Sequence, residues 1–225
     1  MTKHEIIQKK IEWDEQASST THPGSQVYRP SKSAWKSLSS DIIHKLKLSD
    51  KSHNLLDIGC GNGYLLESFL PFCFTVSGVD FSEQMINEAQ ERIPRASFKC
   101  ADAIHIPFPK HSFSRILAYS IFHYFPDSDY AFTCIKKAID LSTPGGLILL
   151  GDLLDKREEE KIKSASDKEY EKCIPLIARY SQWLFIDLDE VLTFVSSLGH
   201  KAVILDQPSH FPLSHYRKDI RIHVN

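Results

Sequence analysis

The chain has 225 residues, 42% hydrophobic and 25% charged, which is the balance of a globular protein with a sizeable core rather than of a disordered or fibrous one. Its 27 Lys and Arg against 29 Asp and Glu leave a net charge of −2, so no general positive field draws a polyanion, and nucleic acid is excluded as a leading partner. Five scattered cysteines without a C-x-x-C pair exclude a zinc ribbon or a disulfide framework, and no run approaches the ~18–20 apolar residues that span a bilayer.

The start MTKHEIIQKKIEWDEQ has no apolar segment of signal type, and its composition reads as a weakly amphipathic helix from Lys3 to Gln16 with Ile6, Ile7 and Ile11 on one side. A soluble, cytoplasmic protein is expected, without membrane insertion. The Ser-, Thr- and Pro-rich stretch that follows is a loop, and a second helix from Ser33 to Leu48 carries Trp35, Leu38, Ile42 and Leu46 at steps of three or four. From Asn54 onward apolar runs alternate with helical patterns: strand NLLDIG, helix YLLESFL, strand TVSGVD, helix SEQMINEAQERI, strands SFKCAD and FSRILAYS, helix YAFTCIKKAIDL and strand LILLGD. Strands interleaved with helices imply parallel pairing, right-handed crossovers and a doubly wound α/β sheet. The charged segment after Asp155 reads as one or two solvated helices with Ile162, Ile174 and Ile177 inward, or as a lid over a substrate. Asp187 then caps a helix with Val191, Leu192, Val195 and Leu198 as its buried stripe, and Gly199 stops it. A strand at 201–205 and the alternating RKDIRIHV close the chain as an antiparallel pair. One domain is expected over 1–225, with a helical cap at 1–50, a cofactor-binding core at 51–155, and a helical insertion and C-terminal strands at 156–225.

The stretch LLDIGCGNGYLLESF places a glycine loop between a strand that ends at Asp57 and a helix, so backbone N–H groups and a positive helix end meet at the carboxyl edge of the sheet. A P-loop needs Gly-Lys-Ser or Gly-Lys-Thr, and a dinucleotide fingerprint needs a third glycine where Tyr64 stands; ATP, GTP and NAD are therefore disfavoured. The pattern D-x-G-x-G-x-G resembles the first motif of the class I S-adenosylmethionine-dependent methyltransferases. VSGVDFSEQMINEAQER, FKCADAIHIPFPKHSFSRILAYSIFHYFPD and LSTPGGLILLGD resemble the later segments of that family in order and spacing, from about Asn54 to Asp152. The resemblance implies a Rossmann-like methyltransferase fold of seven strands, the last antiparallel, and S-adenosyl-L-methionine as cofactor. It also implies close backbone approach at Gly59, Gly61 and Gly63, Asp57 near the methionine ammonium, and Asp80 on the ribose hydroxyls. Phe81 and Met85 would then cover the adenine, Asp102 and Ala103 would meet its amino edge, and the end of the fourth strand, Ser120, would reach the cofactor.

For the acceptor, His123 just past the fourth strand is the candidate general base, with Tyr124 and Asp152 as candidate binders of a hydroxyl or amine. Tyr28 and Arg29 in the N-terminal loop, with His210, His215, Tyr216 and Arg217 before the last strand, are placed to close over the site. Eleven histidines form no H-x-x-x-H or Cys/His cluster of metal-ligand type, and no metal is expected. The expected activity is methyl transfer to O or N of a small polar acceptor. SIFHYFPD, GDLLDK and YRKDIRI resemble bacterial members that act in cell-surface sugar biosynthesis, so a sugar derivative is the first candidate. A protein methyltransferase and a non-catalytic cofactor-binding partner subunit are the alternatives, and the sequence leaves the oligomeric state open.

Overall fold

The computed structural model describes residues 3–19, 32–211 and 213–225. Its centre is a strand whose residues Leu55, Leu56, Asp57 and Ile58 are buried in succession, the mark of a strand covered on both faces. This strand, β1 (His53–Ile58), pairs in parallel with β2 (Cys73–Asp80) on one side and β4 (Phe113–Tyr119) on the other. Beyond β2 lies β3 (Ser97–Cys100), and beyond β4 lie β5 (Ser142–Leu154), β7 (Arg217–His223) and β6 (Lys201–Asp206), with β7 antiparallel to both its neighbours. The strand order reverses between β1 and β4, which opens a crevice at their carboxyl ends.

The helices follow the sequence pattern where local chemistry is strong. Ser82 caps α4 (Glu83–Arg92) by accepting from the Met85 N–H at 3.1 Å, Asp127 caps α5 (Ser128–Leu141), and Asp187 caps α8 (Leu188–Ser197), where Val191 and Val195 are buried. The helix expected over YLLESFL is shorter: α3 spans Tyr64–Glu67, because Pro71 disfavours helical backbone at Leu70. Helix α1 (Lys3–Ser19) is present but turned: Ile7 and Ile11 are exposed, whereas Lys9 is buried and its ammonium donates to the Tyr124 carbonyl at 3.1 Å. The charged region holds two short helices, α6 (Glu159–Ser164) and α7 (Lys168–Lys172), and then single turns at Leu176–Ala178 and Tyr180–Gln182. No helix of the described residues is long and apolar enough to cross a membrane.

Strand β5 is longer than expected and contains a bulge. Leu150 pairs with Ile220 and Leu153 with Lys218, so Gly151 and Asp152 together stand opposite Asp219. Asp152 takes φ 64, and its N–H donates to the Asp219 carboxylate at 2.9 Å. A Cβ at Gly151 would lie 2.1 Å from the Tyr119 ring, so only glycine lets that ring lie across the strand. Fully buried Asp219 also accepts from Lys45 of α2 (Lys32–Leu46) at 2.7 Å and from Gln207 at 2.9 Å. Breaking a buried ion pair costs about 3–5 kcal/mol. Without Asp219, Lys45 would keep the Asp41 carboxylate at 2.7 Å and the Asp206 carbonyl at 3.0 Å, whereas the Asp152 N–H would lose its acceptor, which sets the loss at the lower end of that range, about 3 kcal/mol. Asp219→Ala should therefore lower stability by about that amount in urea unfolding, and Asp219→Asn by less because its amide oxygen still accepts from Asp152. A loss below about 1 kcal/mol for the alanine variant would mean that the pair contributes no more than an exposed one.

Candidate active site

The glycine loop folds back on β2: the Gly59 and Cys60 N–H groups both donate to the Val79 carbonyl, at 2.7 and 3.0 Å. Gly59 has φ 75, and a Cβ there would meet Ile121 at 2.3 Å, so the residue serves both the turn and the close packing of the loop after β4. At the end of β2 the Asp80 carboxylate accepts from the N–H of Gly61 at 2.9 Å and of Ser82 at 3.0 Å, which ties loop and strand together. Asp57 is buried beside it. Burial first, and then the charge of Asp80, push the Asp57 carboxyl well above the usual carboxylate range; burial also raises Asp80, against the pull of its N–H donors. Two carboxyl groups held toward their neutral forms at one crevice favour a ligand that brings a cation or hydroxyl donors.

That crevice opens into a cavity of about 690 Å³, within the size range of small-molecule sites. Asp57, Gly59, Gly61, Asp80, Phe81, Met85, Asp102, Ala103, Ser120, His123, Tyr124 and Asp152 all line it, so the structure brings together twelve of the residues singled out in the sequence. Asp102 is further fixed by the Tyr130 hydroxyl and the Ile104 N–H. Gly63 stands apart from the wall: it precedes α3, where a Cβ would meet Ala89 at 3.3 Å, so it serves helix packing. Tyr28 and Arg29 lie outside the described residues. Of the four residues before the last strand only Arg217 reaches the cavity; His210 is exposed and bonded to Ser37 at 2.7 Å, and His215 faces outward.

The end of the cavity away from the carboxylates is aromatic. His123 and Tyr124 lie in the turn after β4, with ring centres 4.0 Å apart; Trp183 is 4.9 Å from His123 and Tyr180 is 4.2 Å from Trp183. Trp13 of α1 closes the far side, edge-on to Tyr124 at 5.3 Å. Below them Asp152 accepts from the Ser120 hydroxyl and pairs with Arg217, whose guanidinium lies 5.4 Å over Trp183. His123 is 2% exposed, and burial first, then the Arg217 charge, lower its imidazole to about 3; burial pushes the Tyr124 phenol far up. Sequence reasoning missed Lys9, Trp13, Tyr130, Tyr180 and Trp183. The three aromatics that close the chamber sit in segments without a decisive period. What seats them is tertiary: the Ile177 N–H donates to Glu12 at 3.0 Å and the Ser82 hydroxyl to Asp14, which pin α1 across the mouth.

Residues 55–146 match the family model described as a methyltransferase domain. Over 107 residues the chain is 35% identical to the 27-O-demethylrifamycin SV methyltransferase of Amycolatopsis mediterranei, covering 44% of this chain and 38% of that protein. Over 135 residues it is 28% identical to methyltransferase GfsG of Streptomyces halstedii, covering 56% and 46%. The chain thus spans less than half the length of these curated relatives. The crystal structure of the N-methyltransferase NodS from Bradyrhizobium japonicum WM9, in complex with S-adenosyl-L-homocysteine, superposes with a TM-score of 0.69 at 15% identity, over 96% of this chain and 98% of that one. The matched segment runs from the first motif strand to the turn inside β5, so residues 55–146 are similar to a methyltransferase domain, and the whole chain shares the fold of the NodS structure with its seven-stranded sheet.

Proposed function

We propose that the cavity binds S-adenosyl-L-methionine at its carboxylate end and a small-molecule acceptor at its aromatic end, and that the protein transfers a methyl group to an oxygen or nitrogen of that acceptor. The observation that carries this reading is the continuity of the two ends: the Asp57, Gly59, Gly61 and Asp80 crevice at the strand-order reversal opens directly into the aromatic chamber. The donor set fits the cofactor. Asp57 would meet its ammonium, Asp80 its ribose hydroxyls, Phe81 and Met85 the faces of its adenine, and Asp102 with the Ala103 backbone the adenine's edge. The cofactor supplies an electrophilic methyl on a sulfonium, for which alignment and exclusion of water account for much of the acceleration. Trp13, Tyr124, Tyr180 and Trp183 exclude that water.

His123 is a weak base in this setting, since its conjugate acid forms only near pH 3. We assign its ring to the chamber wall and to acceptor alignment rather than to proton removal.

Asp80→Ala should weaken S-adenosylmethionine and S-adenosylhomocysteine alike by about 1–3 kcal/mol in calorimetric titration, the scale of lost charge-assisted hydrogen bonds. A wild-type protein that binds neither compound ends the reading.

The state of His123 is checked through stability. Its folded imidazole takes a proton near 3 and an unfolded one near 6.5, so between these values the unfolded chain holds the extra proton. The contribution is present above about pH 6.5 and is lost, at about 1.4 kcal/mol per pH unit, as pH falls toward 3. His123→Asn should show a shallower decline than wild type in urea unfolding from about pH 6 to pH 4. Equal slopes would mean that the imidazole titrates in the folded protein as it does in the unfolded chain, and would return it to the role of base.

A further inference from the structure

Resting on that reading, we propose that the acceptor is a flat aromatic or conjugated molecule whose reacting hydroxyl is bound as its oxygen anion, and that Arg217 is the residue that selects it. Three observations at the aromatic end converge. The first is shape. Rings of His123, Tyr124, Tyr180, Trp183 and Trp13, with neighbouring centres 4.0 to 5.3 Å apart, form walls suited to the face of a π-system.

The second is charge. At the aromatic end of the cavity Lys9 and Arg217 bring two positive groups and Asp152 one negative group, while Asp57, Asp80 and Asp102 lie toward the other end; His123 and Tyr124 on the facing turn are neutral, as is Tyr216 beside Arg217. An ammonium acceptor is disfavoured there and an anion is favoured.

The third is hydrogen-bonding capacity. Arg217 is 7% exposed and its Nη1 is committed to Asp152, yet among the described residues its buried Nε–H has no hydrogen-bond partner, and neither has buried Nδ1 of His123. A guanidinium with donors to spare, clamped by Asp152 and stacked against Trp183, binds an oxygen anion in a fixed place. Asp152, the carboxylate at this end among the described residues, has both oxygens engaged by Ser120, Gln207 and Arg217 and is thereby held as an anion rather than as a proton acceptor.

An ionised oxygen removes the need for one. The acceptor's proton goes to solvent before binding; in the transfer the O–C bond forms as the S–C bond breaks, the bonding pair stays on sulfur, and anion and sulfonium become a neutral ether and a neutral thioether. An acidic hydroxyl, such as that of a phenol or an enol, is ionised near neutral pH at an acceptable level, and an alkyl alcohol is not.

The test uses para-nitrophenol, whose phenol and phenolate forms differ in visible absorption, titrated into the intact protein with and without S-adenosylhomocysteine. Binding should favour the phenolate over its uncharged methyl ether, para-nitroanisole, by about 10–100-fold, and lower the probe's apparent pKa by about one to two units. Arg217→Met should abolish most of that shift and Arg217→Lys should retain part of it. Because a lone methionine leaves Asp152 buried without its partner, the double variant Arg217→Met with Asp152→Asn is measured beside it. Equal affinity for phenolate, methyl ether and para-nitroaniline in the wild type overturns the proposal, as does an undiminished pKa shift in the double variant. Failure of S-adenosylhomocysteine to bind would instead remove the methyltransferase reading, while the probe titration without cofactor still decides the role of Arg217.

Discussion

Gly151 and Asp152 share a single partner across the β5–β7 ladder, and the aromatic end of the cavity depends on that mismatch. An extra residue in a strand leaves a backbone N–H without a ladder partner and turns a side chain out of its regular direction. Here the Asp219 carboxylate takes the N–H, and the Asp152 side chain is directed to the cavity, where it holds Arg217. Asp219 itself is held by Lys45 from α2 and by Gln207, which also reaches the Tyr119 hydroxyl at 3.1 Å. One buried polar network therefore runs from a helix on the sheet's face, through the bulge, to the guanidinium on the chamber wall. Each member is costly alone and is tolerated because the others supply most of its partners; Gln207 Oε1 and Arg217 Nε are left without one among the described residues.

The cavity is electrically polarised along its length. At one end Asp57 and Asp80 crowd two carboxyl groups into a dry crevice, and at the other Arg217 and Lys9 outnumber Asp152. A cofactor that carries an ammonium and hydroxyls answers the first end, and an acceptor that carries an oxygen anion answers the second. In the proposed reaction the sulfonium would lie between them, so the same polarity that orients the two ligands also brings opposite charges together where they cancel. A low-dielectric surrounding strengthens every one of these interactions relative to water.

Closure of the chamber is the work of segments peripheral to the sheet. Helix α1 lays Lys9 and Trp13 inward and is pinned at two places, by Asp14 to the start of α4 and by Glu12 to the turn at Leu176–Ala178. The residues around Tyr180 and Trp183 complete the wall, and the Leu184 N–H donates to the His123 carbonyl at 3.0 Å, which joins the segment to the turn after β4. The aromatic chamber's walls thus come from three parts of the chain that are distant in sequence, whereas the carboxylate end comes from consecutive strand-to-helix turns.

That difference explains what the sequence alone determined. The strand runs, the caps at Ser82 and Asp187, the glycine loop and the carboxylates at strand ends are local signals, each specified by neighbours within a few residues, so the alternating architecture and the candidate cofactor residues were legible before any coordinates. The stop of α3 was set by Pro71, a local signal overlooked in favour of the apolar run. The orientation of α1 was not legible, because Ile7 and Ile11, which suggested its inner face, are exposed and Lys9 is buried instead, an arrangement stabilised by the Tyr124 carbonyl more than a hundred residues away. His123 was legible as a position but not as a chemistry: its proton affinity is decided by burial and by Arg217, neither of which its neighbours in sequence announce. The bulge at Gly151–Asp152 and the placement of Arg217 opposite Trp183 were decided by the tertiary structure alone, since register across a sheet and contact between distant loops depend on which surfaces meet and not on the residues of either segment taken singly.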